Sequence, residues 1–121
     1  MSALQVERYQ TRSGQIPFTE WLLQLNDAMA RARISNRIDR LSDGSLGDWR
    51  SVGGGVFELR IEHGPGYRVY YGQAGMTLVL LLCGGTKSRQ NKDIDKAHAY
   101  WQDYKRRPSE QPMASGRPSQ E

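Results

Sequence analysis

Glu58-Leu59-Arg60-Ile61-Glu62-His63-Gly64-Pro65-Gly66-Tyr67-Arg68-Val69-Tyr70-Tyr71 alternates apolar and polar side chains on both sides of a four-residue turn. From Val56 onward, Phe57, Leu59 and Ile61 point one way and Glu58, Arg60 and Glu62 the other, the period of a strand half buried against helices. His63-Gly64-Pro65-Gly66 supplies the turn, and beyond it Tyr67, Val69 and Tyr71 share one side while Arg68 and Tyr70 share the opposite one. Directly opposed residues of an antiparallel pair lie on the same face. Placing Leu59 with Val69 and Phe57 with Tyr71 therefore sets Arg60 beside Arg68 and Glu58 beside Tyr70. A Glu62–Tyr67 pairing would bury a charge. Two like charges opposed on a sheet repel, so an anion is expected to compensate them. The pattern fits two readings equally. Glu58 and Glu62 supply ion pairs in a solvated network, or the face receives an anionic ligand such as a phosphate.

Downstream, Thr77 to Cys83 is almost wholly apolar and suits the middle of a sheet, with Cys83 as a small core residue rather than a nucleophile. Gly84-Gly85 ends that strand. Thr86-Lys87-Ser88-Arg89-Gln90-Asn91-Lys92 then brings three cations, Lys87, Arg89 and Lys92, to the strand's exit, a segment able to hold phosphates. Asp93 to Lys105 reads as a helix with Ile94, Ala97, Trp101 and Tyr104 on one face and cations after its end. His98 lies beside that stripe in a structural or exposed position. Residues 108–121 are rich in Pro, Ser, Gln and Gly and are expected to be a disordered tail to a domain of residues 1–107.

Upstream, Ala3 to Tyr9 alternates loosely and is expected to be a first strand. Pro17 opens a short amphipathic helix carrying Phe18, Trp21, Leu22 and Leu25. Asn26 or Asp27 caps a second helix with an Ala30, Ile34, Ile38 and Leu41 stripe that stops near Gly44, and its Arg31, Arg33, Arg37 and Arg40 read as a solvated face. Residues 42–55 read as a loop packed down by Trp49.

The length of 121 residues suits one compact domain, and the net charge of +4 points toward an acidic partner such as nucleic acid. A single cysteine leaves no internal disulfide and no zinc arrangement, which fits a reducing cytoplasm. The N-terminus has no apolar signal core, and the longest apolar run, Met76 to Cys83, is far short of the ~20 residues of a membrane span.

The strand and helix order together with Glu58-Leu59-Arg60, the Gly64-to-Tyr71 stretch and Gly84-Gly85-Thr86-Lys87-Ser88-Arg89-Gln90-Asn91-Lys92-Asp93-Ile94 resembles the RelE/ParE toxin superfamily, in particular its HigB-like addiction module killer group. The resemblance covers about residues 3 to 105. It implies an α+β fold in which two N-terminal helices pack on one face of a small antiparallel sheet, followed by a C-terminal helix. It also implies a bacterial toxin held inactive by a cognate antitoxin, often a helix-turn-helix protein, and in many members cleavage of mRNA on the ribosome without a metal or other cofactor. RNA carries its own nucleophile, the 2′-hydroxyl, which attacks the adjacent phosphate when a base takes its proton, cations stabilise the phosphorane and an acid protonates the leaving 5′-oxygen. By position in the matching motifs, Arg68 stabilises the scissile phosphate and Arg60 is a second phosphate contact. Lys87 acts as acid or base if neighbouring cations favour its neutral form, and otherwise as an electrostatic contact. Glu58 is the alternative base, Tyr70 orients or stacks on a base or else covers the sheet, and Arg89 and Lys92 bind RNA. Several superfamily members carry a histidine or tyrosine near the last strand, where this chain has Thr86 and Lys87. ParE-like members share the fold and inhibit DNA gyrase, and a non-catalytic protein that docks on an antitoxin or nucleic acid is the third alternative.

Overall fold

The computed structural model describes residues 5–45, 47–75 and 78–107. The protein is α+β. Strand β1 (Gln5–Arg8) is followed by helices α1 (Pro17–Gln24) and α2 (Ala28–Ser42). Four strands come next: β2 (Trp49–Ser51), β3 (Val56–Ile61), β4 (Tyr67–Ala74) and β5 (Leu78–Thr86). A 3-10 turn over Lys87–Arg89 leads into α3 (Gln90–Arg106). The five strands form one sheet in the order β1-β5-β4-β3-β2.

The local chemistry accounts for most of these boundaries. Pro17 occupies the first turn of α1, where its missing N–H costs no hydrogen bond. Asp27 caps α2 by accepting from the Met29 and Ala30 N–H groups at 3.0 and 3.2 Å. The same carboxylate lies 3.0 Å from His63 Nε2, which ties the β3–β4 turn to the start of α2. The β3–β4 register is the one argued from alternation: Phe57 opposes Tyr71, Glu58 opposes Tyr70, Leu59 opposes Val69 and Arg60 opposes Arg68.

Several expectations are corrected. The sheet is mixed rather than antiparallel, because β1 runs parallel to β5, with Arg8 opposite Leu81 and the Tyr9 N–H donating to the Leu81 carbonyl at 2.9 Å. Helix α3 packs on the sheet face opposite α1 and α2. Phe18 of α1 and Ile34 and Leu41 of α2 share a core with Leu59, Val69, Tyr71 and Leu81, whereas Ala97 and Trp101 of α3 pack with Tyr9, Tyr70, Leu80, Leu82 and Cys83. Residues 49–51, read as part of a loop, form the edge strand β2, in which Arg50 opposes Glu58. Trp49 is partly exposed and meets Phe57 edge-on at 5.7 Å. The expected tail at 108–121 lies outside the described residues.

Gly84 and Gly85, read as the end of a strand, lie inside β5. The register slips between Tyr70 and Tyr71, so that Tyr70 opposes Cys83 and Tyr71 opposes Leu81. A bulge of this kind turns the strand, and it places Leu82 and Cys83 in the same core despite being neighbours. Beyond it, Gly84 meets α1 and Gly85 meets α3: a Cβ on Gly84 would overlap the Trp21 ring, and one on Gly85 would overlap the Asp93 carboxylate. Glycine is what lets a helix come this close on each face.

Candidate functional site

Two adjacent cross-strand rows carry the polar residues of the α3 face. The first runs Arg50, Glu58, Tyr70, Cys83 across β2, β3, β4 and β5, and the second runs Arg60, Arg68, Gly85 across β3, β4 and β5.

Glu58 is the hub of the first row. It is fully buried at 0% exposure. Its Oε1 accepts from Arg50 Nε at 2.9 Å, and its Oε2 accepts from the Tyr70 hydroxyl at 2.9 Å and from Gln90 Nε2 at 2.8 Å. Burial pushes the Glu58 carboxyl up, but the hydrogen bonds from Arg50, Gln90 and Tyr70 outweigh it and hold the group below the usual glutamate value. Tyr70 moves the other way: burial and the Glu58 charge raise its hydroxyl, which stays a neutral donor. With both oxygens engaged and no exposed surface, Glu58 is placed as an anchor rather than as a base able to meet a substrate. The Tyr70 ring is likewise buried, so it covers the sheet and presents no face for stacking.

Arg60 and Arg68 are neighbours by backbone and divergent by side chain. Arg60 Nη2 and Nε lie 3.1 and 3.3 Å from Asp48 Oδ1. Its N–H donates to the Asp48 carbonyl at 2.9 Å, and its own carbonyl accepts from Arg37 Nη1 at 2.7 Å. Arg37 thus joins α2 to the sheet instead of belonging to a solvated face, and burial lowers its guanidinium from the ordinary arginine value. Arg31 also turns inward, donating from Nη1 to the Leu25 carbonyl.

Arg68 is 3% exposed. Its Nη1 donates to the Tyr67 carbonyl at 3.1 Å and lies 3.9 Å from Glu62 Oε2, while its Nε lies 4.0 Å from Glu58 Oε2, beyond hydrogen-bond range. That Nε is buried with no hydrogen-bond partner. Acids do therefore offset the two arginines: Asp48, outside the meander, pairs with Arg60, and Glu58 and Glu62 lie at the limit of contact with Arg68.

Lys87 joins Arg68 through Gly66. The Lys87 N–H donates to the Gly66 carbonyl at 2.8 Å. A Cβ on Gly66 would lie 3.4 Å from Lys87 Cβ and 3.7 Å from Arg68 Nη1, so the lysine stem and the guanidinium flank the same glycine. From Lys87 the 3-10 turn and first turn of α3 enclose an open hollow of about 330 Å³ lined by Lys87, Ser88, Arg89, Gln90, Asn91 and Lys92. Arg68, Lys87, Arg89 and Lys92 are thus grouped at one end of the sheet, and Arg60 is held away by Asp48.

Arg89 also borders a second hollow of about 360 Å³ between α1 and α3, with Trp21, Asp93, Lys96 and Tyr100 among its walls. The buried Asp93 carboxyl there is raised by desolvation, with Arg89 and Lys96 opposing. Cys83 beneath it is pushed up to about 12 by burial and by Asp93, which rules out an easily formed thiolate. His98 donates from Nε2 to the Val52 carbonyl at 3.0 Å, a structural contact.

Sequence reasoning missed Arg50 and Gln90. Arg50 becomes a partner of Glu58 only once residues 49–51 are recognised as a strand, and Gln90 was passed over as a loop amide among cations. No helix among the described residues is long and apolar enough to cross a membrane.

No protein-family model matches the chain. Over 82 residues it is 51% identical to a protein of Haemophilus influenzae described as uncharacterized, the match spanning 68% of this chain and 83% of the relative. The chain belongs to the family of that protein. Identity at this level over most of the relative's length means that the two share the fold described above.

Proposed function

We propose that the protein is the toxin of a type II toxin–antitoxin module, a RelE-like endoribonuclease of the cytoplasm that cuts translated mRNA on the ribosome and is silenced by a cognate antitoxin, in keeping with the resemblance of its meander and Gly84-to-Ile94 segment to the HigB-like group. The observation that carries the reading is the grouping of Arg68 with Lys87 across Gly66, beside the hollow bearing Arg89 and Lys92. Three cations line that hollow and Arg68 lies next to one of them, an arrangement that suits the phosphates of an RNA strand. Arg68 is 3% exposed, so an RNA phosphate meets its Nη1 only once Glu62, whose side chain is 72% exposed, swings away from it.

In the reaction the RNA 2′-oxygen attacks the adjacent phosphorus, the P–O5′ bond breaks, and the products are a 2′,3′-cyclic phosphate and a 5′-hydroxyl. Arg68 holds the charge that builds on the non-bridging oxygens. Lys87, exposed and adjacent, is the residue placed to exchange a proton with the 2′- or 5′-oxygen or to add a second cation. Arg89 and Lys92 guide flanking phosphates.

Inducing the chain alone tests this. The expected result is growth arrest, with primer extension showing new 5′ ends inside codons of translated mRNA, and loss of both on Arg68→Gln in a variant that still folds. Intact mRNA accompanied by double-strand DNA breaks would replace the reading by gyrase inhibition.

A further inference from the structure

Gln90 opens α3, and its side chain reaches back to the meander. Its Nε2 donates to Glu58 Oε2 at 2.8 Å, and the Tyr70 hydroxyl donates to the same oxygen at 2.9 Å. A carboxylate oxygen offers two lone pairs, so these two donors fill Oε2. A third donor waits beside it. Arg68 Nε lies 4.0 Å from that oxygen, buried and without a hydrogen-bond partner. Two neutral donors hold a site that a charged donor would occupy more strongly.

We propose that Gln90 is a positioning residue for the RNA site, resting on the reading of Arg68 as the phosphate-binding cation. By occupying the second lone pair of Glu58 Oε2, Gln90 prevents the Arg68 guanidinium from closing onto Glu58. The arginine's charge is thereby kept toward Glu62 and Lys87, where a phosphate meets it once Glu62 moves aside. The same hydrogen bond pins the first turn of α3 to β3, which fixes Arg89 and Lys92 relative to Arg68. Glu58 is then the common anchor of the strand cation and the helix cations.

Gln90→Met keeps the length of the side chain and removes the donor, while Gln90→Lys keeps a donor. In Gln90→Met, Arg68 Nε–H moves onto the vacated lone pair. Its ¹⁵N–¹H resonance shifts downfield and its exchange with water slows. Affinity for a short RNA carrying 2′-deoxy substitutions, which cannot be cut, falls about tenfold or more, the scale of one charge-assisted contact. Gln90→Lys returns the Arg68 resonance to its wild-type position. A role confined to stability would lower the melting temperature and leave that resonance unmoved. An unshifted Arg68 signal in Gln90→Met overturns the proposal, as does a shifted signal with unchanged RNA affinity. Wild-type protein that binds no RNA overturns the functional reading instead, and is told apart because the resonance shift is read without RNA.

Discussion

Replacing Glu58 by Gln isolates the charge at the centre of the sheet while keeping its shape. The carboxylate has Arg50 Nε on Oε1 and Tyr70 and Gln90 on Oε2, at 2.8–2.9 Å. An amide has one oxygen. If it takes the Oε2 position its NH2 faces Arg50, and if it takes the Oε1 position its NH2 faces Tyr70 and Gln90, so at least one buried donor meets a donor. Such a mismatch costs about 1–3 kcal/mol. The buried Arg68 guanidinium also loses the negative charge 4.0 Å away, and breaking a buried pair costs about 3–5 kcal/mol. The two effects share one site and do not add. Rotation of the Tyr70 hydroxyl and a flip of Gln90 recover part of the loss, leaving about 3 kcal/mol, or about 12 °C or more in Tm for a domain of this size. The pH dependence supplies the sign. Because the Glu58 carboxyl is held below its usual value in the folded state, its stabilisation is complete above about pH 4 and is lost as pH falls through the lower folded value. Gln does not titrate. Urea unfolding followed by circular dichroism should show the full gap at neutral pH and a closing gap in acid. A gap under about 1 kcal/mol at neutral pH, or one of equal size in acid, would refute the account of Glu58 as a charged anchor.

Other consequences are as direct. Gly85→Ala forces a Cβ into the Asp93 carboxylate and should cost about 2 kcal/mol or more; adding Asp93→Ala should recover part of it in a double-mutant cycle, and strictly additive losses would show that the two do not touch. Cys83, with its thiol pushed up to about 12 by burial and by Asp93, should resist thiol reagents in the folded protein and react once urea unfolds it; modification of the native protein at the rate of an exposed thiol would contradict this. Glu62→Gln removes the exposed carboxylate beside Arg68 Nη1 and should tighten RNA binding about two- to fivefold, the range of an exposed ion pair, with an unchanged Tm; weaker binding would mean that Glu62 does not compete with phosphate.

How far the fold was legible depends on whether a strand's partner is its sequence neighbour. β3 and β4 alternate cleanly around a four-residue turn, and the turn and the pattern agree on one register, so the whole Phe57-to-Tyr71 pairing could be argued beforehand. β1 has an alternation but no hairpin. Its partner β5 lies at the far end of the domain, and nothing in a period of two says whether the pair runs parallel. β2 has only Trp49, Arg50 and Ser51, too few to show a period. The Gly84-Gly85 pair reads as a strand breaker, yet its lack of side chains serves the approach of α1 and α3 to β5.

The candidate site divides along the same line. Register settles which Cα atoms are opposed, and so Arg60 beside Arg68 and Glu58 beside Tyr70 could be read from alternation. It does not settle where long side chains go. The two arginines part because Asp48, next to β2, captures Arg60, while Arg50 within β2 takes Oε1 of Glu58. Gln90 and Tyr70 then take Oε2, which leaves Arg68 buried beside a carboxylate it does not bond. Closing that last gap would exchange a neutral donor on the carboxylate for a cationic one, so the two neutral donors are what keep Arg68 and Glu58 from a direct hydrogen bond. Arg68 is thus a buried cation held just short of its acid, one glycine away from an exposed lysine and next to a hollow bearing two more cations, and on the proposed reading it is Nη1, beside the exposed Glu62, and not the buried Nε that an RNA phosphate meets.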